Sequence, residues 1–319
     1  MQAVEEPHAM TVRTQTRHYL SVGDFSAEET RGLLRLAIEF KREPVYRPRH
    51  GPLAGKTLAM IFQKPSLRTR VSFESGMTQL GGHAIYLGPD DVRLGQRETV
   101  EDVARTLSRM ADMVVARVFA HATIEELARY ASVPVVNGLS DLEHPCQALA
   151  DLLTIQERKG KLAGVRLAFV GDGNNVAHSL MLGAGLLGLH CVVITPPGYG
   201  PSPEVGARAA RLAAASGGSV RASHDLEQVA GAEVVYTDIW ASMGQESEAE
   251  ARREAFRGYQ VNDALMSRAR SDAILLHCLP AHYGEEIEYG TSRRASSAIF
   301  DQAENRLHVE KALLTRLAE

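Results

Sequence analysis

Cysteine is scarce in this chain, and the three present, Cys146, Cys191 and Cys278, lie far apart. A small odd set argues against a disulfide framework and for a reducing compartment. It also lacks the paired spacing of a zinc site, so no metal is expected. Excess charge of one sign is missing too. Thirty-five Lys and Arg against 39 Asp and Glu leave a net charge of -4. With no global basic field, nucleic acid is not an expected partner. Long apolar runs are also absent. The longest, residues 179–195, is broken by Gly183, Gly185, Gly188 and His190. It reads as a helix followed by a strand, not as a membrane span. The first seventeen residues mix Glu5, Glu6, His8, Arg13 and Arg17 with few apolar side chains and have no targeting core. Residues 1–18 are therefore expected to be a frayed end, and the protein to be cytoplasmic.

What is present is ordinary globular material, 45% hydrophobic and 23% charged, in 319 residues. That length suits two domains, each with its own core. Strand-like and helix-like segments alternate. Strands are expected at 56–62, 83–87, 113–116, 134–137, 165–170, 191–195, 234–237 and 273–276. Helices are expected at 69–80, 99–110, 124–131, 145–159, 176–187 and 304–317. Pro145 suits the first turn of its helix, where a missing N–H does no harm. Such alternation implies α/β architecture: two doubly wound parallel-sheet domains with an active-site cleft between them.

The most informative feature is His277-Cys278-Leu279-Pro280, closing the apolar run 273–276. It brings a thiol, with an imidazole beside it, to the carboxyl edge of a strand, where open α/β sheets bind ligands. Pro280 ends the strand and makes a turn. Taken alone, Cys278 reads first as a small buried hydrophobe, and only the clusters upstream turn the reading toward chemistry.

Four further clusters sit at strand-to-helix junctions. Lys64-Pro65-Ser66-Leu67-Arg68-Thr69-Arg70 combines a helix start with hydroxyls and a guanidinium, which suits an anion. It is no Walker loop, since the glycines are missing. His144-Pro145-Cys146-Gln147 places an imidazole and a carboxamide one turn apart, and both can donate to a carbonyl. Gly171-Asp172-Gly173-Asn174-Asn175 has Val176 where a dinucleotide fingerprint needs a third glycine. Its Asn residues either hold a small polar ligand or close the turn. Asp238-Ile239-Trp240-Ala241-Ser242-Met243-Gly244 offers an anion suited to a ligand ammonium. It reads equally as a capped turn with an aromatic anchor.

Read together and in order, Ser66-x-Arg68-Thr69-Arg70, His144-Pro145-x-Gln147, Asp238-x-x-x-Ser242-Met243-Gly244 and His277-Cys278-Leu279-Pro280 resemble ornithine carbamoyltransferases. The likeness runs from about Tyr19 to the C-terminal helix. Leu67 stands where many relatives have Thr, and Ala281 where many have Arg. The resemblance implies transfer of the carbamoyl group of carbamoyl phosphate to L-ornithine, with neither metal nor organic cofactor. It implies a carbamoyl phosphate domain at 19–149 and an ornithine domain at 150–303, with the helix 304–319 packing back on the first. It further implies a homotrimer or a multiple of trimers.

On this resemblance Ser66, the Leu67 backbone, Arg68, Thr69 and Arg117 clamp the phosphate. Arg117 and His144 polarise the carbonyl, Gln147 holds the carbamoyl NH2, and Arg306 closes the carbonyl side. Arg93 reaches a neighbouring subunit's carbamoyl phosphate. Asn175, Asp238, Ser242 and Met243 hold the amino-acid end of ornithine, while Cys278 and Leu279 flank its side-chain amine. The Cys278 thiol is then expected to be reactive in the empty site and shielded in the full one. Putrescine or acetylornithine as acceptor, a non-catalytic relative and a nicotinamide oxidoreductase are the rival readings. The intact Asp238–Gly244 loop, the retained Arg68, Arg117, His144 and Cys278, and the missing third glycine argue against them in turn.

Overall fold

A computed structural model describes residues 16–42, 51–241 and 246–319. Most of the N-terminal stretch 1–18, and Ser242, Met243 and Gly244 of the predicted ornithine loop, lie outside the described residues. Within the first stretch, Arg17 pairs with Glu29 at 2.7 Å and lies over the Phe25 ring.

Helix α1 (Ala27–Arg42) precedes the first sheet. That sheet is laid down as β1 (Thr57–Phe62), α2 (Leu67–Gln79), β2 (His83–Leu87), α3 (Pro89–Val92), α4 (Val100–Leu107), β3 (Met113–Arg117), α5 (His121–Tyr130) and β4 (Val135–Leu139). Helix α6 (Pro145–Lys159) leads to the second series. This comprises β5 (Arg166–Val170), α7 (Asn175–Leu187), β6 (His190–Ile194), α8 (Pro203–Ser216), β7 (Ser219–Ser223), β8 (Val234–Thr237), α9 (Ala249–Ala255), α10 (Asp263–Met266), β9 (Ile274–His277), α11 (Tyr289–Ser292) and α12 (Ile299–Leu317). Both sheets are parallel, with strand orders β2-β1-β3-β4 and β7-β6-β5-β8-β9. Each order reverses once, between β1 and β3 and between β5 and β8. Such reversals open a crevice at the carboxyl ends of the strands.

Local chemistry accounts for the elements that border this crevice. Ser66 caps α2, its hydroxyl accepting the Thr69 N–H at 3.3 Å. Pro145 opens α6, and Gly160, at φ 73°, ends it in the left-handed conformation that glycine adopts without strain. Residues 145–155 of α6 are all buried, so this helix runs through the interior between the sheets. It packs against α7 and α12 and shares one hydrophobic core with Phe73 of α2, Leu180 of α7 and Leu313 of α12. The chain's last helix, α12, packs against α1, α2 and α6. It carries a buried polar row, Gln302, Asn305, Arg306 and Glu310, at helical spacing.

Candidate active site

The carboxyl ends of both sheets open on one cavity of about 400 Å³. The first side is built by Lys64, Ser66, Leu67, Arg68 and Thr69 after β1, Arg117 at the end of β3, and His144 and Gln147 at the start of α6. The second side is built by Asn175 after β5, Asp238 after β8, and Cys278 and Leu279 after β9. Arg306 reaches the same cavity from α12. A groove of about 500 Å³ at the amino ends of β5, β6 and β7 holds Arg166, His190 and Arg221. It is the roomier of the two, but it sits at the wrong end of the strands for an α/β ligand site. None of the predicted site residues lines it.

On the first side Lys64, Arg68 and Arg117 form a cluster of cations with no salt bridge among the described residues. Burial first, then Arg306 and Arg68, push the Arg117 guanidinium down to about 10. Burial, then Arg117, brings the Lys64 ammonium down to about 8. The Arg117 Nε is buried without a partner among the described residues. Like charges gathered at a helix start, half removed from water, call for an anion. Burial and the cations Arg306, Arg117, Lys64 and Arg68 also hold His144 well below the usual imidazole range. His144 is therefore neutral, and its side chain does not cap α6. Its main-chain N–H donates to Ser179 Oγ at 2.9 Å, which leaves the ring to the cavity. Neutral imidazole donates from one nitrogen only, and here it is placed beside the guanidiniums.

Arg306 ties this side together. Its Nη1 donates to Gln147 Oε1 at 3.0 Å, and its Nη2 to Thr69 Oγ1 at 3.1 Å. Nη2 also pairs with Glu310 Oε1 at 2.7 Å. A buried ion pair with further hydrogen bonds is costly to break, so Gln147 and Thr69 are held in place.

The second side is anionic and polar. Asp238 Oδ2 accepts from Asn174 Nδ2 at 2.8 Å, and Asp238 Oδ1 from the Cys278 thiol at 3.0 Å. Asn175 Nδ2 donates to the Ser140 carbonyl at 2.6 Å, bridging the second side to the loop after β4. One cavity thus presents anion-binding groups at one end, a carboxylate at the other, and a neutral imidazole and a carboxamide along the first side. Such an arrangement holds two differently charged molecules end to end.

Residues 17–157 match the family model for the aspartate/ornithine carbamoyltransferase carbamoyl-P binding domain, and 163–317 that for the Asp/Orn binding domain. An ornithine carbamoyltransferase of Anoxybacillus flavithermus is 53% identical over 96% of this chain and 98% of the relative. A Pyrococcus furiosus protein named as an anabolic ornithine carbamoyltransferase is also 53% identical, over 96% of this chain and 97% of its own. The solved ornithine carbamoyltransferase of Pyrococcus furiosus superposes with a TM-score of 0.90 at 52% identity, covering 95% of this chain and 97% of that one.

The chain belongs to the aspartate/ornithine carbamoyltransferase family.

Of the residues singled out in the sequence, Ser66, Leu67, Arg68, Thr69, Arg117, His144, Gln147, Asn175, Asp238, Cys278, Leu279 and Arg306 all line the carbamoyltransferase cavity. Arg93 does not. It is exposed, its guanidinium 3.8 Å from Asp90, beside a different surface depression.

Three details differ from expectation. His277 is wholly buried and does not line the cavity. Its Nδ1 accepts the Leu279 N–H at 2.8 Å, so the proton sits on Nε2 and is donated to Glu286 Oε1 at 3.0 Å. This imidazole holds the turn into which Leu279 is bent, at φ 58°. The Cys278 thiol is pushed far up, first by burial and then by the Asp238 carboxylate. It is therefore a protonated donor rather than a poised nucleophile. In the glycine turn, Asn174 Oδ1 caps α7 by accepting the Val176 and Ala177 N–H groups. Its other end steadies Asp238, so one Asn closes the turn while its neighbour Asn175 faces the cavity.

Two contributors went unassigned in the sequence. Lys64 was visible in its cluster, but only the fold shows that its ammonium stands beside Arg117. Asn174 carried a signal, an Asn directly before an apolar helix, which reads as a cap.

Proposed function

We propose that this cavity transfers the carbamoyl group of carbamoyl phosphate to the δ-amine of L-ornithine, giving L-citrulline and phosphate in arginine biosynthesis. The observation that carries the reading is the cluster of Lys64, Arg68 and Arg117, without a salt bridge among the described residues, facing the Asp238 carboxylate across one cavity. Ser66, the Leu67 N–H, Arg68, Thr69 and Arg117 hold the phosphate. Arg117 and the neutral His144 donate to the carbonyl oxygen as it becomes an oxyanion. Preorganised donors act there at no reorganisation cost. Gln147, held by Arg306, receives the carbamoyl NH2.

Asn175, with Ser242 and Met243, takes the amino-acid end of ornithine, and Asp238 pairs with its α-ammonium. The protonated Cys278 and the Leu279 main chain flank the side-chain amine. That amine sheds a proton and attacks the carbonyl carbon. A C–N bond forms, the C–O bond to phosphate breaks, and phosphate leaves with the electron pair. Holding both reactants in line provides most of the acceleration.

The same reading assigns carbamoyl phosphate to residues 19–149 and ornithine to 150–303, with 304–319 packed on the first. It takes the working assembly to be a homotrimer, or a multiple of one, in the cytoplasm. Arg93 then serves a neighbouring subunit's site, which fits its exposure outside its own. No helix among the described residues is long and apolar enough to cross a membrane.

The test is product formation from carbamoyl phosphate with ornithine, putrescine or acetylornithine as acceptor. Citrulline from ornithine alone is expected, because Asp238 requires a free α-ammonium. Preference for either other amine overturns the assignment.

A further inference from the structure

Behind the cavity, a chain of buried side chains joins its two sides. On the first side, Gln147 Oε1 accepts from Arg306, while Gln147 Nε2 donates to Asp151 Oδ1 at 2.8 Å. A guanidinium only donates, so Arg306 fixes Oε1 as its acceptor and leaves the Nε2 of Gln147 facing Asp151. Asp151 Oδ1 also accepts from Gln302 Nε2 at 2.7 Å. Gln302 Oε1 in turn accepts the His277 N–H at 2.9 Å, and Gln302 Nε2 donates to the Tyr236 hydroxyl at 3.0 Å. His277 directly precedes Cys278 on the β9 edge, and Tyr236 stands two residues before Asp238 on β8. Asp151, Gln302, His277 and Tyr236 are each 0% exposed. Neither Asp151 nor Gln302 lines the cavity. Each sits one helical turn from a residue that does, Asp151 from Gln147 and Gln302 from Arg306.

We propose that Asp151 and Gln302 are positioning residues that lock the Gln147 carboxamide to the strand edge bearing Cys278. Seating the transferred group on Gln147 thereby sets the Cys278–Asp238 pair that faces the incoming amine. The proposal rests on the carbamoyl-transfer reading. A carboxamide suits position 302 because it accepts from the His277 N–H and donates to Asp151 at the same time. An apolar side chain there strands the His277 N–H and removes one donor from Asp151. The link is then broken although no cavity residue has changed.

The experiment compares wild type with Gln302→Leu, Asp151→Leu and Asp151→Asn. Asn keeps an oxygen that accepts from both carboxamides, and Leu does not. For each, kcat and the two KM values are measured separately. Binding of L-norvaline, which is ornithine without its δ-amine, is measured by calorimetry with and without saturating phosphonoacetamide, a carbamoyl phosphate analogue. Wild type is expected to bind norvaline more tightly when phosphonoacetamide is present. In both Leu variants that enhancement collapses and the ornithine KM rises about tenfold, while Asp151→Asn stays within about twofold of wild type. A folded Gln302→Leu with the wild-type enhancement overturns the proposal. So does an Asp151→Asn as impaired as Asp151→Leu, which decides the matter if Gln302→Leu does not fold. A wild type that makes citrulline without any enhancement overturns it as well. A wild type that makes no citrulline contradicts the functional reading itself.

Discussion

Arg68 and Arg117 carry the sharpest single-residue expectations. Each should contribute a charge-assisted contact to the leaving phosphate, worth roughly 2–3 kcal/mol at the transition state. Replacing Arg68 by Ala should therefore lower kcat/KM by about 30- to 150-fold with the fold intact by circular dichroism. Near-normal turnover would remove Arg68 from the phosphate site. Lys64 gives a pH signature. Its ammonium is held at about 8 in the free protein, below its ordinary 10.5, mainly by burial. As pH rises through that value the charge is lost, so carbamoyl phosphate affinity should weaken above about pH 8. A bound dianion draws the proton back, so binding there should be accompanied by proton uptake. Lys64→Arg keeps its charge and should flatten the profile, as titration of carbamoyl phosphate KM from pH 7 to 9.5 would show. Arg68 is legible because it stands where a strand hands over to a helix, and Arg117 through the family resemblance, whereas Lys64 gains its role only from the fold. The chemistry of Cys278 was not. A thiol's reactivity depends on whether a guanidinium or a carboxylate is its close neighbour, and the fold chose Asp238. Alkylation of native enzyme should accordingly be slow at all three cysteines, since burial pushes the Cys146 and Cys191 thiols well above their ordinary range. Cys278 should be the first to label, since it alone borders the cavity. Rapid labelling of Cys278 at neutral pH would contradict its pairing with Asp238.

Elements were readable in proportion to how much of their pattern is apolar. The buried strands β1, β3, β8 and β9 stood out as continuous apolar runs. Strand β7 went unseen, since Ser219–Ser223 is an edge strand with no fully buried residue. Helices α1 and α8 were passed over as well. The spacing predicts the last helix from 304, whereas α12 begins at Ile299. The missing turn contains Gln302, a polar residue whose burial has no signature in sequence. Asp151 is hidden in the same way inside α6. Spacing reveals an apolar stripe but not a buried hydrogen-bond partner contributed from a distant segment. The glycine turn after β5 makes an element-scale prediction. A Cβ on Gly173 would stand 2.3 Å from Pro201 N and 2.4 Å from the Gly200 carbonyl carbon. Gly173→Ala should thus cost about 1–3 kcal/mol in urea unfolding through overpacking. It should also raise the ornithine KM more than that of carbamoyl phosphate, because Asn174 next to it steadies Asp238.

At the scale of the molecule, two parallel sheets turn their carboxyl edges toward one cavity, and α6 and α12 run behind it. Both domains were legible because β and α segments alternate throughout. Which residues face each other across the cleft was not, since that depends on how the sheets are mounted on α6. The charge imbalance across the cleft implies an order of binding. An anion relieves repulsion among Arg68, Arg117 and Lys64, so phosphonoacetamide alone should raise the melting temperature by mass action. Norvaline alone should raise it far less, and an equal rise with norvaline alone would contradict the order. The most direct test of the account is a crystal structure with a bisubstrate analogue joining a phosphonate to ornithine. The account predicts the phosphonate on residues 66–69 and Arg117, the carbonyl beside His144, and the α-ammonium on Asp238. A phosphonate seated instead in the groove of Arg166, His190 and Arg221, or an analogue bound with its ends reversed, would contradict it.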